Sequence, residues 1–345
     1  MVAHPPVAVL RADADPNIGM GHLMRTLAIG EGLVELGWRV TLASFNAPPG
    51  VTQTTEAASI AWSRMSGPTG TVEDALQVAA LEPDLVVVDG YQFDASFYDG
   101  LGDRGCSYAV IDDNGETSAR DPVLVLNQNP HAAASTYAHL PSSRLLLGLE
   151  FALLRRAIRD IEAEGGGAEH RARVLVSIGG SDPLGLTVPV VTELAHLDVD
   201  LRVAIGPSNP CGDEIRKSVQ DLKCAVAIDP ATYVAELAGC DLAVIGAGST
   251  SWEAAYLGVP TVGLVVADNQ RAPSAAADLA GFTQTLDGRA AQPGTMTQAA
   301  VLKLIADPSK LAAMSAAGRR SVDGRGVQRV GTALTEAVTE GSRHG

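Results

Sequence analysis

Positive charge is scarce in this sequence. Of its 345 residues, 25 are lysine or arginine and 40 are aspartate or glutamate, a formal net charge of -15. Clustered basic side chains are what hold a phosphate backbone, so nucleic acid is excluded as a main partner. Cysteine is also sparse. Cys106, Cys211, Cys224 and Cys240 include no C-x-x-C pair, which argues against a zinc or redox motif. Reduced, mostly buried thiols in a cytoplasmic protein are expected. No apolar run reaches the roughly 18 residues that a membrane-spanning helix needs. The opening MVAHPPVAVLRAD has no basic segment followed by a long apolar one, so no signal peptide is expected.

What is present is hydrophobic residues, at 46%, and a length sufficient for two domains. VAVLRAD (7–13) reads as a buried strand, and GHLMRTLAIGEGLVELG (21–37) follows with helical spacing. Leu23, Leu27, Leu33 and Leu36 share a face, and Gly37 is a stop signal. WRVTLASF (38–45) completes a β-α-β unit, and strands are predicted over 84–91, 107–114 and 122–129. Such near-continuous apolar runs fit a parallel sheet covered on both faces. The glycine triplet at 165–167 lies among charged residues and reads as part of a linker. A second α/β series begins at 173, with strands predicted near 173–182, 201–208, 225–229, 241–249 and 260–266, before a helical tail.

The expected architecture is therefore α/β, with two doubly wound Rossmann-like domains facing each other across a cleft. The expected boundaries are 1–150 for the first domain, 151–172 for the linker, 173–310 for the second domain and 311–345 for the tail. Open α/β sheets bind ligands at the carboxyl ends of their strands, so the residues just after strands are the ones to examine.

Five such places stand out. In VIGAGSTSWEAAYLGVP (244–260), small residues precede a predicted helix start, where exposed amides and the dipole favour phosphate. Glu253, in the first turn, could accept bonds from a ribose diol, or it could simply favour the helix start. The segment is not a G-x-x-x-x-G-K-[ST] loop, because it has no lysine. VSIGGSDPLGLT (176–187) offers a similar turn, with Ser181 or Asp182 as an alternative N-cap. In ADNQR (267–271), Asn269 and Gln270 could serve sugar hydroxyls or cap a helix. Asp112 and Asp113 could be metal ligands or solvated loop carboxylates, and no histidine or third carboxylate at fixed spacing supports a metal.

The fifth place is NIGMGHLMR (17–25), where His22 falls at a predicted helix start behind Gly19 and Gly21. The helix dipole there favours a neutral ring able to accept a proton. Asp13 and Asp15 lie close in sequence and could orient it. A packed, structural histidine is equally consistent with the spacing.

Taken in order, RADADPNIGMGHLMR, VVVDGY, DDNG, LNQNP, LLGLEFALLR, VSIGGSDPLGLT and AGSTSWEAAYLGVPTVGLVVADNQ resemble the UDP-2,4-diacetamido-2,4,6-trideoxy-β-L-altropyranose hydrolases of pseudaminic acid biosynthesis. The likeness spans roughly residues 7–285. It implies a glycosyltransferase-B fold and release of UDP from a nucleotide sugar by water, without a metal or other cofactor. It implies that His22 activates water at the anomeric carbon, with Tyr91 and Asn269 near the sugar. Glu253 would hold the UDP ribose, and the amides of Gly248, Ser249 and Thr250 would meet the diphosphate. Arg11, Asp13, Gly21, Gly180, Ser181 and Gln270 lie in matching motifs and are carried over as substrate-binding. Gly90 departs from the pattern, since a polar residue often stands there.

The expected protein is thus a cytoplasmic, monomeric enzyme whose partner is a UDP-sugar. A glycosyltransferase of the same fold is the alternative, and a non-catalytic nucleotide-sugar binder is a third reading. The first domain shows no Lys/Arg cluster of the kind that goes with a lipid acceptor, which favours the hydrolase.

Overall fold

The strands are apolar along their whole length because both sheet faces are covered. Leu85–Asp89, Tyr108–Ile111, Leu124–Asn127 and Thr261–Val265 are buried at every position. The computed structural model describes residues 4–15, 18–46, 50–140, 143–161, 171–180, 182–206, 209–222, 225–228 and 232–344. Ser181, Cys224 and the glycine triplet at 165–167 lie outside the described residues. Chain packing gives two compact units, Met1–Arg156 with Gly324–Gly345, and Ala157–Asp323.

In the first unit the order is β1 (Val7–Ala12), α1 (Gly21–Glu35), β2 (Arg39–Ser44), α2 (Val51–Ala57), β3 (Ala61–Arg64), α3 (Val72–Ala79), β4 (Leu85–Asp89), α4 (Ala95–Gly102), β5 (Tyr108–Ile111), β6 (Leu124–Asn127) and β7 (Arg144–Leu147). They form a seven-stranded parallel sheet in the order β3-β2-β1-β4-β5-β6-β7. The chain reverses its direction of travel across the sheet between β1 and β4. In register, Ala12 stands beside Asp89 at the carboxyl end of this switch point.

The short helix α5 (Arg156–Arg159) leads into the second unit. There β8 (Arg173–Ser177), α6 (Thr187–Leu194), β9 (Asp200–Ala204), α7 (Gly212–Asp221), β10 (Ala225–Ile228), α8 (Tyr233–Ala238), β11 (Leu242–Gly246), α9 (Thr250–Leu257), β12 (Thr261–Val265), α10 (Arg271–Ala280), β13 (Thr283–Asp287), α11 (Pro293–Ile305) and α12 (Pro308–Ser321) follow. The sheet order is β10-β9-β8-β11-β12-β13, again parallel, with its switch point between β8 and β11.

Two expected boundaries are corrected. A linker beginning at 151 fails because Ala152, Leu153 and Leu154 are buried, and Leu153 N donates to the buried Gln128 Oε1 at 2.8 Å. The separate tail from 311 fails because its helices divide between the units. Gly318 of α12 lies against the backbone of Ala255 in the second unit. The final helix, α13 (Gly326–His344), belongs to the first unit, where Val327, Val330, Ala333 and Leu334 bury one helical face. Val327 packs where a side chain on Gly32 of α1 would stand, and Trp38 Nε1 donates to Thr335 Oγ1. Leu36, expected on the apolar face of α1, is instead half-exposed just past the helix end. Cys211 is exposed rather than buried, and β3, β7 and β13 are strands the hydrophobic pattern did not reveal.

Candidate active site

The first unit gathers its polar side chains at the carboxyl ends of β1, β4, β5 and β6. After β1 the loop turns on Gly19, whose φ of +81° a residue with a side chain rarely adopts. Asp15 accepts from Ile18 N at 2.8 Å and so holds this loop. Helix α1 then starts without a side-chain cap, and His22 is its second residue. Gly21 is exposed, with open space where a side chain would be.

His22 is oriented by Asp89, the last residue of β4. Its Nδ1 lies 2.7 Å from Asp89 Oδ1. Arg25, one turn further along α1, grips both oxygens of the same carboxylate with one edge of its guanidinium. Nε donates to Oδ2 at 2.6 Å and Nη2 to Oδ1 at 2.7 Å. Thr26 Oγ1 adds a bond to Oδ2 at 3.2 Å. Burial alone would push the Asp89 carboxyl up, but Arg25 and His22 outweigh it and hold Asp89 well below the usual carboxylate range. An ionised carboxylate only accepts hydrogen bonds. The close Nδ1 contact therefore places the ring proton on Nδ1 and leaves the Nε2 lone pair free.

Tyr91, two residues beyond β4, meets His22 edge to face, with ring centroids 4.9 Å apart at 87°. It is 55% exposed, and its hydroxyl donates to Asp113 Oδ2 at 2.9 Å. Asp113 Oδ1 in turn accepts from Arg25 Nη1 at 2.9 Å and Asn129 Nδ2 at 2.7 Å. Burial would also raise Asp113, and the Arg25 guanidinium again overrides it and holds the carboxyl down. Gly90 joins Asp89 to Tyr91 at φ +152°, and a side chain there would strike Gln92 and Phe93. This local geometry accounts for a glycine at position 90.

Several expectations are corrected. Asp13 does not orient His22, and Asp15 accepts from Ile18 N and Asn46 Nδ2. Asp13 is buried, bonded to the amides of Phe45 and Asn46 and to Thr69, and paired with Arg11 at 2.9 Å. Arg11 has no exposed surface, and Asp13, Asp74 and Thr69 engage its donors. Neither can touch a substrate, so both are scaffold residues rather than binding residues. Asp112 is a buried loop carboxylate that accepts from the amides of Asn114, Gly115, Glu116 and Thr117. Among the described residues, no histidine, cysteine and carboxylate group could hold a metal ion.

In the second unit two turns meet at the switch point. Gly246 backs onto Ile178 and Gly179, and Gly206 lies against Gly180. Helix α9 begins at Thr250 with Ser249 before it and no side-chain cap, and its first amides close a tight turn, Ser251 N donating to Gly248 O at 3.0 Å and Trp252 N to Ser249 O at 2.9 Å. Gly248 has open space around it, and Glu253 is half-buried in the first turn. Helix α6 differs, because Asp182 already accepts from Leu186 N and Thr187 N at its start. That turn offers glycine backbone but not a free helix terminus. Asn269 is exposed after β12, while Gln270 Oε1 accepts from Val266 N at 2.9 Å.

Sequence reading singled out His22, Tyr91 and Asp113 separately, and the fold joins them. It gave no role to Arg25, Asp89 or Asn129. The available signal was an arginine three residues after a helix-start histidine, on the face that otherwise packs against the sheet.

The chain has the glycosyltransferase-B fold. A MurG from Acinetobacter baumannii superposes with a TM-score of 0.67 over 96% of this chain and 100% of its own, at 16% identity. The glycotransferase of kitacinnamycin gives 0.66 over 97% and 100%, at 19% identity. S. aureus MnaA, solved with UDP, gives 0.66 over 94% of each chain, at 14% identity. In sequence, an uncharacterised protein of Methanocaldococcus jannaschii is 22% identical over 271 residues, 75% of this chain and 55% of that one. The chain thus spans about half the length of the curated relative it matches. No family model matches the chain. Among the described residues, no helix is long and apolar enough to cross a membrane.

Proposed function

We propose that the protein hydrolyses a UDP-linked deoxy-acetamido sugar. The observation that carries this reading is His22 at the carboxyl end of the sheet, its Nδ1 held 2.7 Å from the buried, ionised Asp89. Nε2 takes a proton from water as the water oxygen bonds to the anomeric carbon. The bond from that carbon to the phosphate oxygen breaks, and its electron pair leaves with UDP. Asp89 stabilises the imidazolium that forms, as an oriented carboxylate does for a histidine base. Tyr91 and Asn269 are assigned to the sugar, Glu253 to the ribose, and the turn Gly248–Thr250 to the diphosphate, where amides and a helix dipole stabilise the leaving charge. The sequence motifs and the UDP held by S. aureus MnaA support the choice of nucleotide.

A second reading is transfer of the sugar to an acceptor hydroxyl, which the same base would deprotonate. The transferases among the structural neighbours favour it. The deciding experiment incubates the purified chain with UDP-2,4-diacetamido-2,4,6-trideoxy-altropyranose and with UDP-N-acetylglucosamine, without acceptor. Release of UDP and free sugar from the first supports hydrolysis, whereas strict dependence on an added acceptor reverses the ranking.

A further inference from the structure

The base and the tyrosine are held by one guanidinium. Arg25 is buried, and three of its donors are spent on two carboxylates, two on Asp89 and one on Asp113. Asp89 is the partner of His22 Nδ1, and Asp113 is the partner of the Tyr91 hydroxyl. His22 and Tyr91 touch edge to face, which closes a ring of five contacts from Arg25 through Asp89, His22, Tyr91 and Asp113 back to Arg25.

The members come from α1, the end of β4 and the segments that follow β4 and β5, so no single element fixes the geometry. Among the described residues Arg25 is the cation bonded to both carboxylates, and its planar fork sets the angle between them. The guanidinium edge also passes 3.2 Å from His22 Nδ1. Asn129, two residues beyond β6, supports the arrangement by binding the same Asp113 oxygen as Arg25.

From this we infer that Arg25 is a positioning residue that fixes His22 and Tyr91 against each other through Asp89 and Asp113. This rests on the reading of His22 as the base. A lysine in its place carries the charge but not the fork, because one ammonium cannot hold both edges of Asp89 and reach Asp113. The loss expected is one of alignment rather than of substrate affinity.

The test compares wild type, Arg25→Lys and His22→Asn by two readouts. The first is the ring-nitrogen NMR spectrum of the full chain labelled with 15N-histidine, in which His22→Asn assigns the His22 signals. Wild type should show protonated Nδ1 and bare Nε2. Arg25→Lys should show both tautomers while its melting curve stays cooperative. The second readout is UDP release, where Arg25→Lys should lower kcat by about 10- to 100-fold and leave KM within about twofold. A folded Arg25→Lys with the wild-type tautomer and kcat overturns the inference. Should that variant not fold, a double-mutant cycle of Tyr91→Phe and Asp113→Ala replaces it. Coupled losses in kcat support the ring, and fully additive losses overturn it. If His22→Asn releases UDP at the wild-type rate, the base assignment has failed, and the tautomer spectra still judge Arg25.

Discussion

His22 and Asp89 are 67 residues apart in sequence and meet at 2.7 Å. One opens the helix after β1 and the other ends β4, and these two strands flank the switch point of the sheet. The topology therefore delivers a histidine and a carboxylate to one place without a local motif. The pairing fixes the tautomer, and the tautomer decides which nitrogen can accept a proton.

The first prediction concerns this pair. His22→Asn should lower kcat for UDP release by about 10²- to 10⁴-fold with little change in KM, the range general-base removal gives. Asp89→Asn should fall by a similar factor, because an amide can donate to Nδ1 and so favours the wrong tautomer. It should also destabilise the fold by about 1.5–3 kcal/mol, since Arg25 loses its charge-assisted bonds to Asp89 while Asp113 still compensates its charge. Steady-state kinetics beside urea unfolding separates the two effects. An Asp89→Asn variant with wild-type kcat would remove Asp89 from the mechanism.

The second prediction is the acid limit of the first unit. Asp13, Asp89 and Asp113 are all held below their ordinary values in the folded state. The unfolded chain then binds more protons than the native one as pH drops, so these groups stabilise the fold above about pH 4, their unfolded value, and that contribution is lost below it. Trp38 and Trp62 report on the first unit and Trp252 on the second. In a Trp252→Phe protein, fluorescence should therefore show an acid transition that starts below about pH 4. A first-unit transition centred near neutral pH would contradict the assignment.

How much of this was legible beforehand depends on sequence distance. The apolar runs at β1, β4, β11 and β12 revealed the parallel sheets, because both their faces are buried. β3 and β7 escaped, being short edge strands with exposed positions. His22 was legible as a histidine after a strand and before a helix. Its true partner was not, because Asp13 and Asp15 stand nearer in sequence while strand pairing brings Asp89. Arg11 misled for a related reason: a charged residue in an apolar strand suggests a ligand, yet here Asp13 and Asp74 neutralise it internally.

The third prediction tests Gly90. Its φ of +152° and the crowding by Gln92 and Phe93 make any side chain costly. Gly90→Ala should destabilise the chain by about 1–3 kcal/mol, the cost of a strained backbone position. It should also lower activity by more than the folded fraction explains, because the residue sets the spacing between Asp89 and Tyr91. A melting curve and specific activity matching wild type would show that the loop relaxes freely.

The fourth prediction isolates the second unit's part in binding UDP. Glu253 lies in the first turn of α9, at the turn assigned to the diphosphate. A carboxylate accepting from a ribose diol makes charge-assisted bonds, and losing them costs about 1.5–3 kcal/mol, or roughly 10- to 150-fold in Kd. Calorimetry with UDP alone should show that weakening for Glu253→Ala, while His22→Asn binds UDP as wild type does. The contrast matters because UDP lacks the sugar, so a residue that serves only the anomeric carbon has nothing to lose. Equal weakening by both substitutions would mean that His22 contacts the nucleotide itself, and the division of labour between base and leaving-group site would be wrong.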